Sequence, residues 1–123
     1  MVKFLIEELF EKELLRRTKK SVELAKKSLK QAKFFLDESV DLVELNKKRM
    51  AIIALYNAFF HTARAFLFKD GIKEKSHYAL ARYLEFEYVD KGKIDRKFLL
   101  ALDFLRDLRH ECQYSVSVLE LEI

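Results

Sequence analysis

Near its C-terminal end the sequence reads RDLRHECQY, which places Arg106, Arg109, His110 and Tyr114 within nine residues. Each of these types brings a different chemistry. An arginine fork holds a phosphate through two parallel N–H bonds. A histidine titrates near neutrality and can take or give a proton. A tyrosine offers a hydroxyl, or a ring on which a base can stack. Together they suit RNA phosphodiester cleavage, where a base activates the 2′-hydroxyl and a cation stabilises the charge that builds on phosphorus. The same residues also read as the polar end of an otherwise apolar helix. At helical spacing Arg106, His110, Gln113 and Tyr114 share a face, whereas Arg109 is offset by one position, so His110 points away from it.

A second polar row interrupts an apolar stretch: Asn57, His61 and Arg64 stand at i, i+4 and i+7. A buried, unpaired histidine or arginine costs several kcal/mol, so this row needs water, a partner or a ligand. It is either a hydrogen-bonded helix edge or the lining of a cleft. The three histidines, His61, His77 and His110, fall on three different predicted helices. There is no glycine-rich phosphate loop, no HExxH pair and no Cys/His ligand set, so neither a metal nor a cofactor is expected.

The elements that must position these residues are helical. The 123 residues are one domain's worth, with 50% apolar and 36% charged residues, no proline and two glycines, too few turn formers for a strand-rich fold. A first helix is expected from near Ile6 to about Leu36, on the row Val22, Ala25, Leu29, Ala32 and Leu36. The stretch DESVD (Asp37–Asp41) reads as the break before a second helix, from about Val40 to Lys69. The second half of that helix is apolar on nearly every side and must be buried all round. Gly71 marks its end, and Ser76 can cap a third helix through HYALARYLEFEYV. After DKGK, a fourth helix from about Asp95 carries Phe98, Leu99, Leu102, Leu105 and Leu108 in register; the tail SVSVLELEI is left unassigned. The expected fold is all-α, an antiparallel up-down four-helix bundle over residues 1–123. Because one bundle does not easily cover Ala51–Phe68 on every side, a homodimer is expected.

Charge is unevenly placed. Nine Lys/Arg face three Glu between Glu11 and Lys33. On a continuous helix, Lys12, Arg16, Lys19, Lys20, Lys26, Lys27, Lys30 and Lys33 fall in one arc of about 140°. That stripe is either the solvated back of the helix or a phosphate-facing surface on which Lys19, Lys26 and Lys30 bind nucleic acid. The lone Cys112 excludes an internal disulfide and fits a reducing, cytoplasmic setting. No secretory signal is visible, and the longest apolar run, Met50–Phe60, is shorter than the roughly 20 residues of a membrane span, so no membrane role is expected.

The segment ALYNAFFHTARAFLFKDGIKEKSHYAL (Ala54–Leu80), followed by a fourth helix ending in LRHECQY, resembles the HEPN domain, and most closely its small, stand-alone prokaryotic members. The resemblance covers the chain from the first helix to about Tyr114. It implies a dimeric four-helix bundle related to ribonuclease toxins that pair with a minimal nucleotidyltransferase antitoxin. Active members carry an arginine and, after four to six intervening residues, a histidine near the end of the last long helix, and the dimer brings two such motifs into one cleft. Here Arg109 matches the arginine, and the first permitted histidine position holds Tyr114; from Arg106, His110 arrives one residue too early. The resemblance thus implies a cleft containing Arg109, His110 and Tyr114; Arg106, Asn57 and His61 are further RNA- or nucleotide-binding candidates by their own chemistry and spacing. The arginine–histidine motif itself is incomplete. Two functions follow: a dimeric helical partner in a toxin–antitoxin-like or nucleotidyltransferase-linked system with an RNA- or nucleotide-binding cleft, or a metal-independent endoribonuclease toxin.

Overall fold

A computed structural model describes residues 2–114, with side chains from Leu5 onward. The expected first helix is interrupted. Helix α1 (Val2–Glu11) ends where Glu13 turns into the left-handed region, φ 59°. Strand β1 (Leu15–Arg17) then pairs antiparallel with β2 (Ile72–Glu74), Leu15 opposite Glu74 and Arg17 opposite Ile72. Leu15 and Ile72 are 1% and 2% exposed, so pairing drives both into the core in a way a helix through Leu15 does not. Helix α2 (Val22–Glu44) restarts at Ser21, whose Oγ accepts from the Leu24 N–H at 3.0 Å. Lys12, Arg16, Lys19 and Lys20 consequently lie outside α2, and the eight-residue basic arc does not form; only Lys26, Lys27, Lys30 and Lys33 share that helix.

The break expected at Asp37–Asp41 is also displaced. Ser39 donates its hydroxyl back to the Leu36 carbonyl at 2.7 Å instead of capping a new helix, and α2 runs on to Glu44. The turn comes at Leu45–Lys47, where Asn46 takes φ 58°, and helix α3 (Lys48–Asp70) returns antiparallel. Small residues bring the two helices together. Ala25, Ser28, Ala32 and Ser39 are buried on α2, and Ala51, Ala54, Ala58 and Ala65 on α3, on the side away from Tyr56, Phe60, Ala63 and Leu67. The Ser28 hydroxyl donates to the His61 carbonyl across this seam at 2.7 Å.

The all-round apolar character of α3 is therefore met within one protomer, by α2 on one side and the main core on the other. By length and composition alone its 23 residues suffice to cross a membrane, yet half of its most apolar window is buried inside the protein. Gly71 ends α3 at φ 72°, and a Cβ there would lie 2.6 Å from the Thr18 carbonyl oxygen. Only glycine satisfies both the left-handed turn and that close approach.

Helix α4 (His77–Leu84) begins at Ser76, whose Oγ accepts from the Ala79 N–H at 3.0 Å, and continues into a π-helical turn, Glu85–Val89. Tyr83 and Tyr88 both donate to the Asp70 carboxylate, at 3.1 and 2.7 Å, tying this segment to the end of α3. Burial and that carboxylate together push both phenols well above their usual range. Helix α5 (Arg96–Tyr114) completes the core with Leu99, Leu102 and Leu105, alongside Ile6, Leu9, Tyr56, Phe60, Leu67, Leu80 and Leu84. The all-α class with antiparallel packing stands, with a short two-stranded sheet added. The tail SVSVLELEI lies outside the described residues.

Candidate functional site

The last turns of α5 face the N-terminus of α4. Arg106, Asp107, Arg109 and His110 from α5, with Ser76, His77 and Tyr78, enclose a cleft of about 390 Å³. Arg109 lies against the core, its guanidinium carbon 4.9 Å from the Tyr56 ring centroid. Its Nη1 donates to Gln113 at 2.8 Å, while its Nε is buried with no hydrogen-bond partner. Arg106 sits 6.0 Å from the Tyr78 ring, and its closest carboxylate, the exposed Asp107, is 3.9 Å away. Arg82 differs in charge pairing: it is half-buried and ion-paired with Asp103 and Glu85, although its Nε too is buried without a hydrogen-bond partner. The two arginines of the cleft thus retain donors that no protein acceptor fully occupies.

Two histidines reach this cleft, not one. His110 lines it together with Arg109, because residues about 100° apart on a helix can both border a wide opening. His77, the first residue of α4, faces it from the other wall, with Nδ1 2.7 Å from the Tyr56 hydroxyl. Burial, reinforced by Arg109, Arg106 and Arg64, holds the His77 imidazole below its usual 6.5. The same burial, against the opposing pull of Arg109 and Arg106, pushes the Tyr56 phenol up to about 12. Tyr114 is 63% exposed and its ring meets that of His110 at a tilt, with centroids 4.9 Å apart, rather than lining the cleft.

The other sequence candidates lie elsewhere. Asn57 donates to the Ile53 carbonyl of its own helix at 3.0 Å. His61 stacks flat on Phe35 of α2 at 5.6 Å, and burial lowers its pKa. Arg64 pairs with the buried Glu74 at 3.3 Å. The row is a satisfied helix edge, and neither Asn57 nor His61 lines the arginine cleft. Lys19 follows β1, and Lys26 and Lys30 are exposed on α2, also outside it. Sequence reasoning passed over His77 and Tyr56 as site residues. The cap at Ser76 signals that His77 starts a helix, but its meeting with Tyr56, 21 residues earlier, is a tertiary fact. Among the described residues no group of three or more His, Cys, Asp or Glu side chains converges as metal ligands do.

A second feature is apolar. Leu29, Ala32, Lys33 and Leu36 of α2, with Ala58, Phe59 and Thr62 of α3 and Phe98 of α5, line a groove of about 280 Å³. Val40 and Val43 continue the row along α2, and Leu100 and Phe104 are exposed on α5, the last at 65%. Phe104 and His110 border the same surface depression, so this apolar face of α5 adjoins the arginine cleft.

An antiparallel helical bundle with an arginine of its last helix facing a cleft agrees with the family comparison: the HEPN-domain model matches residues 25–122. The chain belongs to the HEPN family. No curated relative and no solved structure matches it. HEPN domains are toxin- and nucleotidyltransferase-associated or ribonuclease domains, commonly dimeric. The match begins at Ala25, within α2, so α1, β1 and the start of α2 precede the matched HEPN region, and Ile6, Leu9 and Leu15 from α1 and β1 still pack into the same core.

Proposed function

We propose that this HEPN protein acts as a cytoplasmic homodimer that holds RNA by its phosphates in the α5 cleft, as the helical partner in a nucleotidyltransferase-linked, toxin–antitoxin-like system. The observation that carries this reading is the pair Arg106 and Arg109 on one cleft, neither closely paired with a carboxylate: the exposed Asp107 stays 3.9 Å from Arg106, and Arg109 bonds the neutral Gln113. A phosphodiester supplies anionic oxygens of the kind such donors take, and charge-assisted bonds to them are about twice as strong as neutral ones. The dimer is supported by the exposed apolar residues of α2 and α5 and by the habit of the family. A second copy seated on that face would close over the neighbouring cleft. The nucleotidyltransferase link rests on the family alone, and a small nucleotidyltransferase gene beside this one is its expected context.

The second reading, a metal-independent endoribonuclease toxin, is favoured by one observation: His110 borders the cleft with Arg109 although the family's histidine position holds Tyr114. Binding of a fluorescein-labelled single-stranded RNA dodecamer, followed by anisotropy, tests the first reading. Arg106→Ala and Arg109→Ala should each weaken it about tenfold or more. Incubating the RNA with the protein in a chelator tests the second. We expect little or no cleavage. Robust cleavage that disappears in Arg109→Ala, and falls at least about 100-fold in His110→Ala, would make the protein an enzyme with His110 as general base.

A further inference from the structure

We propose that His77 is a phosphoryl-oxygen-binding residue of the cleft, fixed by Tyr56 as the neutral tautomer that carries its proton on Nε2. The inference rests on the phosphate-binding reading above and adds to it a residue, a tautomer and a ligand class. It starts from Tyr56. That side chain is 1% exposed, and its hydroxyl has His77 Nδ1, at 2.7 Å, as its hydrogen-bond partner among the described residues. A buried phenol must donate its proton to some acceptor. If Nδ1 carried the hydrogen, the Tyr56 O–H would be buried without one. The satisfied arrangement therefore has Tyr56 donating to Nδ1, and a neutral imidazole then keeps its one proton on Nε2.

The surroundings keep the ring in that state. Phe60 packs against it with ring centroids 4.3 Å apart. The charged groups that act on it are cationic: Arg64 from α3 and Arg106 and Arg109 from α5. Asp107 borders the cleft but is exposed and lies toward Arg106, and the Ser76 hydroxyl already caps α4. His110 borders the same cleft from α5. His77, Arg106 and Arg109 consequently present N–H donors with no ordered acceptor among them. That pattern fits the oxygens of a phosphate mono- or diester and is wrong for a metal ion or an amine. It also separates two roles: His77 in this tautomer donates a hydrogen bond and is not a base, so any proton abstraction from a 2′-hydroxyl falls to another group.

Nitrogen-15 histidine NMR on the intact wild-type protein reads the tautomer directly. The Nε2–H form is expected for His77, and an Nδ1–H or fully protonated ring at neutral pH overturns the proposal. The second arm compares binding of the RNA dodecamer and of adenosine 5′-monophosphate, which separates a phosphodiester from a terminal phosphate. His77→Phe keeps an aromatic ring without the donor and should weaken the bound probe about tenfold. His77→Gln restores an N–H near the Nε2 position and should recover most of that loss. Tyr56→Phe should mix the tautomers and weaken binding by less than His77→Phe does. If Arg106→Ala and Arg109→Ala weaken binding but His77→Phe does not, the His77 proposal fails while the cleft reading stands. If none of these variants weakens either probe, both fail.

Discussion

Replacing Arg109 by alanine should separate folding from binding, because this side chain is held in place without contributing much net stability. Its cation–π contact with Tyr56, at 4.9 Å, contributes about 1 kcal/mol. Its bond to Gln113, one helical turn on and exposed, adds about 0.3–0.5 kcal/mol. Packing of the aliphatic stem adds about 1 kcal/mol more. Against these stands the buried Nε without a partner, which costs about 1–3 kcal/mol. The net contribution lies between about −0.7 and +1.5 kcal/mol, so the urea midpoint of Arg109→Ala, followed by circular dichroism, should move only slightly. RNA affinity should behave differently. Losing a charge-assisted contact of about 1.5–3 kcal/mol weakens binding roughly 10- to 100-fold. A destabilisation of about 2 kcal/mol or more would refute the reasoning by making Arg109 a structural residue. Unchanged RNA affinity would refute it from the other side.

Light scattering at micromolar concentration should show a dimer that Leu36→Glu and Phe104→Glu both dissociate. These side chains are 46% and 65% exposed in the protomer, so a charge costs folding little but the interface much; a wild-type monomer contradicts this. Ala58 and Ala65 are poor probes, each 5% exposed and already packed within the protomer. Replacing Lys19, Lys26 and Lys30 by glutamate should weaken RNA binding alike across sequences and flatten its salt dependence. Unchanged affinity would leave these lysines as solvated surface. Stability should also fall on acidification, because His61 and His77 are both lowered by burial from 6.5. The unfolded chain takes up protons near 6.5 that the folded chain refuses until lower pH, so stability is full above that value and is lost as pH drops through the folded-state values. His61→Phe keeps a ring on Phe35 and should make the acid loss shallower; a urea midpoint that is flat or rises between pH 7 and about 5 contradicts the assignment.

The helices were legible where periodicity and caps agree. Ser76, Gly71 and the leucine register of α5 each mark a local preference that the tertiary structure leaves intact. The boundaries that moved were those decided at long range. Leu15–Arg17 leaves the helical pattern because it pairs with Ile72–Glu74, more than fifty residues away, and no local residue marks that pairing. Asp37–Asp41 has the composition of a cap, but the small residues of α2 and α3 keep the two helices in contact as far as Ser39. The site shows the same division. Arg106, Arg109 and His110 could be named from spacing on one helix, whereas His77 and Tyr56 join them only through packing of α4 and α3 against α5.

If two arginines of α5 hold RNA phosphates, the salt dependence of binding reads it most directly. Anisotropy of the RNA dodecamer should be measured from about 50 to 200 mM salt with the wild type and with the double variant Arg106→Ala/Arg109→Ala. Two lost phosphate contacts should lower the slope of log K against log salt by about 1.4, at roughly 0.7 per contact for a single strand, together with a large fall in affinity. A double variant that binds with the wild-type affinity and slope would contradict the account.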